Sequence, residues 1–204
     1  MQKFALLAAA SLIAVAGPAV AQSMQARLPV EKISGVVAAV SGDEVDITAA
    51  DGTKDVVMLA DKSRIALTMP IAIDEIKPGS FIGAGAQADG KGGNTATEIT
   101  VFPESARGLG EGFHKWDQGP NSTMTNGTVS QVVGTSNRTL TVTYKGGQQQ
   151  VTIPDGTPIT TFAPADKTAL VAGAHVVVRG IKANDGTVKA AYITVGKDGF
   201  VPPA

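Results

Sequence analysis

Short apolar runs occur twice in the same order along the sequence, and this repeat constrains the fold more than any other feature. Residues 35–42 of the first copy match residues 127–134 of the second, and the runs that follow keep the same order and similar spacing. Self-similarity of this kind is the signature of two copies of one structural unit. We therefore predict two equivalent domains, at 31–102 and 126–197.

Each copy has the pattern of short β-strands. Polar and apolar residues alternate at 45–48 (Val-Asp-Ile-Thr) and again at 140–143 (Leu-Thr-Val-Thr), which places one face of a strand inward. Asp51-Gly52 and Gly146-Gly147 stand between such runs, where a tight hairpin requires a positive φ. With 24 glycines in the chain, many short strands and tight turns are expected. We predict five strands in each copy.

A short helical turn is expected between the third and fourth strands of each copy. It falls at about 73–77 in the first copy, before Pro78-Gly79, and at about 165–172 in the second, before Gly173. Three strands, a short helix and two strands is the element order of an OB-type barrel. The predicted fold class is all-β, with two tandem small five-stranded OB-like barrels. The expected inward residues are Val37, Val40, Val45, Ile47, Val56, Met58, Ile82, Ile99 and Val101, and Val129, Val132, Leu140, Val142, Val151, Ile153, Val176, Val178, Ile193 and Val195.

The first residues predict export. A short basic start, an apolar run over 4–16 and the small residues Ala19-Val20-Ala21 are typical of a secretory signal peptide at 1–21. The apolar run is shorter than the roughly 20 residues that span a bilayer, so we expect no membrane span. The predicted location is periplasmic or secreted. The chain has no Cys, so no disulfide is expected.

Charge and composition limit the partners. The formal net charge is −1 and aromatic residues make up only 4% of the chain. Single-stranded nucleic acid requires a basic groove with stacking aromatics, so we expect no nucleic acid partner. An envelope protein or a small ligand remains the expected partner.

Between the copies lies a Gly-rich segment, 103–125, which we predict to be a linking loop. It holds the only Trp and one of the two His of the chain. Glycines let such a segment fold back on itself, and we expect its functional side chains to cluster. Trp116 is interpreted first as an anchor that joins the domains, and second as a platform for a ligand. The predicted ligand- or partner-binding residues are Arg107, Glu111, His114, Trp116 and Asp117.

Two other functions remain open as alternatives. His114 with Glu104, Glu111 and Asp117 has the ligand types of a metal site, although no H-E-x-x-H or Cys pair is present. An enzyme acting on envelope glycans would need two carboxylates facing each other across a cleft, within roughly 5 to 10 Å. No G-x-S-x-G elbow is present. We predict no catalytic residues, no bound metal and no cofactor.

The two copies and the central segment together resemble a known family. The residues that carry the resemblance are Arg107-Gly108, Gly110-Glu111-Gly112 and 114–117 (His-Lys-Trp-Asp). They are similar to those of exported bacterial proteins built from small OB-like β-domains of unknown function. The resemblance implies the fold and the export, and labels on some similar proteins imply a metal-binding accessory protein of envelope transport as an alternative.

The function we expect is that of a periplasmic, non-catalytic binding or interaction module. The central segment would serve as its docking or ligand loop. Residues 198–204 are expected to form a loosely held tail.

Overall fold

The computed structural model describes residues 30–88, 90, 92–134 and 138–203, and the predicted signal peptide lies outside them. Thirteen strands in this part of the chain form one hydrogen-bonded sheet, which confirms the all-β class. In chain order they are β1 (Val30–Ser41), β2 (Glu44–Ala49), β3 (Lys54–Met58), β4 (Arg64–Pro70), β5 (Phe81–Ala88), β6 (Asn94–Val101), β7 (Gly112–Lys115), β8 (Ser122–Val133), β9 (Arg138–Tyr144), β10 (Gly147–Ile153), β11 (Ile159–Ala165), β12 (His175–Lys182) and β13 (Val188–Gly196).

The helical segments of the described chain are short 3-10 turns, each of three residues. They are Ile73–Glu75, Glu104–Ala106, Lys167–Ala169 and Lys197–Gly199. The first and third fall where the sequence predicts a helical turn. Each follows a fourth strand and not a third, because β4 and β11 were not predicted. Each copy therefore contributes six strands.

The strand pairing closes into two circuits of five strands. In the first circuit β1 pairs with β2 and β12, β2 with β3, and β13 with both β12 and β3. In the second circuit β8 pairs with β5 and β9, β9 with β10, and β6 with both β5 and β10. Each circuit thus takes three consecutive strands from one copy and two from the other.

This exchange differs from the predicted tandem arrangement, in which each copy folds on itself. The first three strands of copy one are completed by the last two strands of copy two, and the converse holds for the second circuit. The ranges 31–102 and 126–197 therefore mark the sequence repeat, while each circuit draws on both ranges. The exchange is possible because equivalent strands of the two copies carry the same apolar pattern and can pair with the same neighbours.

The two missed strands connect the circuits. β4 pairs in parallel with β13 of the first circuit, and β11 pairs in parallel with β6 of the second. The two strands also pair antiparallel with each other, Met69 opposite Thr161 and Leu67 opposite Ala163. These two pairs are equivalent under the sequence repeat, so the order of the strands is the same on either side of the β4–β11 pair. β4 and β11 each carry the chain from one circuit to the other.

Two separate cores follow the circuits and not the copies. The first core contains Val37 and Ile47 from copy one together with Val178 and Ile193 from copy two. The second contains residues of both copies in the same way, among them Ile99 and Leu140. Burial of these side chains is the main stabilising contribution to each circuit. Neither copy contains all the residues of one core.

Most of the predicted inward residues are buried, and three positions are corrections. Val57 is fully buried, whereas Val56 and Met58 are only partly buried. Val57 pairs with the buried Val45, and directly paired residues share a face of the sheet. Val40 was also predicted inward and is 39% exposed. It lies near the hairpin end of β1, beyond the core.

Candidate binding groove

A groove crosses the junction between the two circuits. Its floor is formed by five neighbouring strands, in the order β6, β11, β4, β13 and β12, and its volume is about 1020 Å³. Both copies contribute to it. The pair of β4 and β11 lies near the middle of the floor.

Alternation along the strands explains the groove's lining. Ile99 and Ile193 point into the two cores, so Thr100 and Thr194, the next residues, point out to the floor. On β11, Phe162 lines the groove opposite Thr68 of β4. The outward face of the junction is therefore hydroxyl-rich, with aromatic rings set into it.

One row of the floor places two arginines beside a tyrosine. Tyr192 of β13 pairs with Arg179 of β12 on one side and with Arg64 of β4 on the other, and all three line the groove. Neighbouring strands are about 4.8 Å apart, so the backbones of the two arginines are about 10 Å apart. Burial raises the pKa of the Tyr192 hydroxyl. This row can present two guanidinium groups to one ligand.

The central segment forms one wall of the groove. Pro103, Ser105, Ala106, Arg107 and Leu109 all line it. The 3-10 turn Glu104–Ala106 brings the Arg107 guanidinium back onto Glu104, with Nε donating to Oε1 at 2.5 Å and Nη2 to Oε2 at 2.8 Å. This hydrogen-bonded pair lowers the pKa of Glu104 and raises that of Arg107.

Aromatic rings connect this wall to the floor. The Arg107 guanidinium lies 5.8 Å from the centroid of the Phe81 ring. Phe81 meets Phe102 edge to face at 5.4 Å, and Phe102 meets Phe162 in the same way at 5.4 Å. Arg107 Nη2 also donates to the Gly79 carbonyl at 2.9 Å. The wall is thereby held to both β5 and β11.

Trp116 and Asp117 hold the other end of the central segment. A Cβ built on Gly85 of β5 would lie 2.3 Å from Trp116 Cζ3, so this glycine leaves room for the indole ring. Asp117 Oδ2 lies 3.6 Å from Nη1 of Arg179 on β12. Trp116 thus packs on the second circuit, while Asp117 contacts Arg179 of the first circuit. The interpretation of Trp116 as an anchor that joins the two domains stays a prediction.

Glu98 is the one acidic residue among those lining the groove. It lies on β6 opposite Gly85, and its surroundings include Arg179, Lys32 and Asp117. Burial raises the pKa of the Glu98 carboxyl, Asp117 adds to the rise, and Arg179 and Lys32 oppose it. The ionised carboxylate is therefore less favourable in the folded chain than in water.

We predict that Glu98→Gln increases the melting temperature at pH 7. A carboxyl whose pKa is raised by folding loses stabilisation as the pH rises through its ordinary pKa to its folded one, so a neutral amide avoids this cost. The gain should vanish at about pH 3, where the carboxyl is protonated in both states. Thermal unfolding at several pH values measures it, with the exposed Glu44→Gln as a control for charge. A lower melting temperature at pH 7 would show that attraction to Arg179 dominates.

The five predicted site residues divide into separate groups. Arg107 contacts Gly79 and Phe81, whereas Trp116 covers Gly85. Gly85 lies four residue steps along an extended strand from Phe81, a distance of about 13 Å. Trp116 and Asp117 stay together, but a single cluster with Arg107 does not form.

Glu111 and His114 are placed differently from both groups. Glu111 Oε1 accepts a hydrogen bond from the Lys145 amide at 3.0 Å, which ties it to the end of β9. His114 is exposed on β7, opposite Met124 of β8. The strand β7 and the 3-10 turn Glu104–Ala106 are corrections to the predicted loop at 103–125. Pairing of β7 with β8 satisfies backbone groups that an open loop would leave to water.

The sequence did not predict five residues of the floor, which are Arg64, Glu98, Phe162, Arg179 and Tyr192. Each occupies an outward position of a strand whose inward neighbours are apolar, which is also the pattern of an ordinary solvated face. The only signal in the sequence was that Phe162 and Tyr192 are large aromatics at such positions.

The described part of the chain does not assemble the ligand set of the metal alternative. No group of three or more His, Asp or Glu side chains there has the arrangement of a metal site. The described residues also contain no helix with the length and hydropathy to cross a bilayer, in line with the expectation of no membrane span.

Comparison with known proteins gives no match. No protein-family model, no curated protein and no solved structure is similar to this chain at the level that counts as a match. The resemblance to exported bacterial proteins with OB-like domains stays a prediction.

Proposed function

We propose that this is an exported, non-catalytic binding protein that holds its ligand in the groove between the two circuits. The observation that carries the proposal is the groove itself: about 1020 Å³, lined by both copies and walled by the central segment. Ligand sites are typically concave, with apolar and aromatic linings and a few polar groups, and they often lie between domains. The central segment would act as a fixed wall of the site.

We infer that the two circuits are OB-like barrels. Five-stranded circuits, each with a short helical turn before its last two strands, suit OB-like barrels, and such barrels often bind ligands on one face. Here the exchanged barrels would share a ligand face at their junction. The predicted export to the periplasm or exterior would place that face in contact with envelope components.

The rigid attachment of the wall supports a role in binding. Arg107 is held by Glu104, the Gly79 carbonyl and the Phe81 ring, and Asp117 is held near Arg179. A site that is already ordered loses little conformational entropy on binding. Glu98 is the only carboxylate among the lining residues, whereas glycan hydrolysis by the usual route requires two.

The proposal is tested by nuclear magnetic resonance with a library of small acids, sugars and oligosaccharides. Ligands that bind should shift amide signals of the floor strands, Thr100, Phe162 and Tyr192 among them. The variant Phe162→Ala should weaken each of these ligands at least fivefold, whereas Tyr144→Ala, outside the groove, should not. A library without a single ligand, or ligands whose shifts lie only outside the groove, would contradict the proposal.

A further inference from the structure

The two copies differ at one edge of the sheet. Gly35 of β1 lies opposite Val176 of β12, and the equivalent Gly127 of β8 lies opposite β5 in the same register. On its other side β8 pairs first with β9 and then with β7, which lie end to end along it. On that side β1 pairs with β2, and this pairing begins only at Gly35. Among the described residues, nothing pairs with this side of β1 at 30–33, which we call the open edge.

Backbone groups of β1 are directed at the open edge. The Val37 N–H donates to the Ala174 carbonyl at 2.9 Å, on the β12 side of β1. Hydrogen-bonding groups of successive residues in a strand turn to opposite sides, so those of Val30 and Lys32 turn to the open edge. In copy two the equivalent groups are bonded to β7 and to the Trp116 N–H. The open edge therefore offers to an added strand the groups that β7 uses in copy two.

A second copy of this chain is a poor match for the open edge. Two identical edges pair about a two-fold axis, so that residues are placed opposite their own counterparts. Residues opposite each other in an antiparallel pair share a face. The longest registers within 30–33 therefore set Lys32 opposite Lys32 or Glu31 opposite Glu31. Like charges in such positions destabilise a pair, which favours a different chain as the partner.

The side chains of the open edge define the strand that would complement it. In copy two, Phe113 of β7 lies opposite Thr125, whose equivalent in β1 is Ile33. Ile33 is buried, so an apolar residue of the added strand suits this position. The next two residues of that strand would lie opposite Lys32 and then Glu31, which form no ion pair with a described residue. An acidic residue followed by a basic one would pair with them.

We propose that the open edge binds an extended segment of another protein, which joins the sheet as an antiparallel strand. The segment carries an apolar, an acidic and a basic residue in that order, opposite Ile33, Lys32 and Glu31. Main-chain hydrogen bonds supply the affinity of such strand addition, and the alternate side chains supply its specificity. Glu98 acts on Lys32 electrostatically, but it is partly buried and leaves the Lys32 side chain exposed. Residues 30–33 do not line the groove, so this interaction is additional to the proposed ligand site.

The test uses the chain from residue 22 and two capped five-residue peptides, observed by nuclear magnetic resonance. The peptide Thr-Phe-Glu-Lys-Val has the proposed order of side chains, and Thr-Phe-Lys-Lys-Val differs only in the residue opposite Lys32. We expect the first peptide to shift the amide signals of 30–33, to slow hydrogen exchange at the Lys32 amide and to bind about fivefold more tightly than the second. Lys32→Glu should reverse this preference. The exposed Lys77→Glu, adjacent in sequence to Ile76 of the second core, should leave it unchanged.

The other outcomes would each overturn the proposal. Equal binding of the two peptides, shifts confined to other parts of the chain, or no binding at all would show that the open edge selects no strand. Binding only after deletion of residues 22–29 would assign the edge to the chain's own first residues. A dimer in sedimentation that shifts the same signals would assign it to a second copy. Ligands that map to the groove are unaffected by any of these results, so the proposed function is tested separately.

Discussion

A fragment containing only the first copy, residues 30–102, is expected to be unfolded in water at 25 °C. Its strands β1 to β3 would lack β12 and β13, which supply Val176, Val178, Ile193 and Val195 to the first core. Losing these side chains removes a large part of the apolar burial that offsets chain entropy. Circular dichroism and the dispersion of amide proton signals measure the outcome.

The complementary fragment, residues 112–203, provides the control. An equimolar mixture of the two fragments should recover strand content and dispersed signals, because all strands of both circuits are then present. The intact chain 30–203 should show a single unfolding transition under the same conditions. A folded, monomeric 30–102 fragment would contradict the exchange and would support the tandem arrangement that the sequence predicts.

Gly127→Ala is expected to destabilise the protein by about 3 kcal/mol, since overpacking a rigid backbone contact is costly. A Cβ at this position would lie 2.5 Å from the Thr143 carbonyl oxygen of the neighbouring strand, which cannot move without breaking the pairing of β8 with β9. Gly35 is the equivalent residue in the first copy, and a Cβ added there would lie 2.5 Å from the Thr48 carbonyl oxygen. Gly35→Ala should therefore cost a similar amount.

Urea unfolding measures both variants. The matched control is Gly147→Ala on β10, where the nearest atom to a Cβ is the Tyr144 hydroxyl oxygen at 3.2 Å, the end of a side chain that can move. We expect its midpoint to stay close to that of the parent chain. If Gly127→Ala were no more destabilising than Gly147→Ala, the close approach of β8 and β9 at this position would be wrong.

The sequence alone could predict the repeat, the all-β class and both helical turns. A periodic pattern such as the one at 45–48 depends only on the alternation of neighbouring residues, and the strand formed there keeps that alternation. It could not predict the exchange, because Ile99 and Ile193 occupy equivalent places and either could complete either core. A run of similar residues is equally ambiguous. The run Val56-Val57-Met58 permits two inward registers, and only the pairing with β2 selects Val57.

The site was predictable in part. An unusual composition drew attention to the central segment, and Arg107 does form part of the groove wall. Trp116 packs on Gly85 of β5, and its role as an anchor that joins the two domains stays a prediction. The floor residues were not predictable, since Arg64 and Arg179 come together only through the pairing of β4, β13 and β12. Strands from the two copies meet there, and no spacing in the sequence encodes that meeting.

The exchange of strands also bears on how a single copy would fold. A single copy that kept the strand paths seen here would complete its core by associating with a second copy, so its folding would depend on concentration. Joining two copies in one chain makes the same association intramolecular, with an effective concentration in the millimolar range for a short connection. The 23-residue span from 103 to 125 therefore does more than wall the groove. It makes the folding of both cores independent of how dilute the protein becomes.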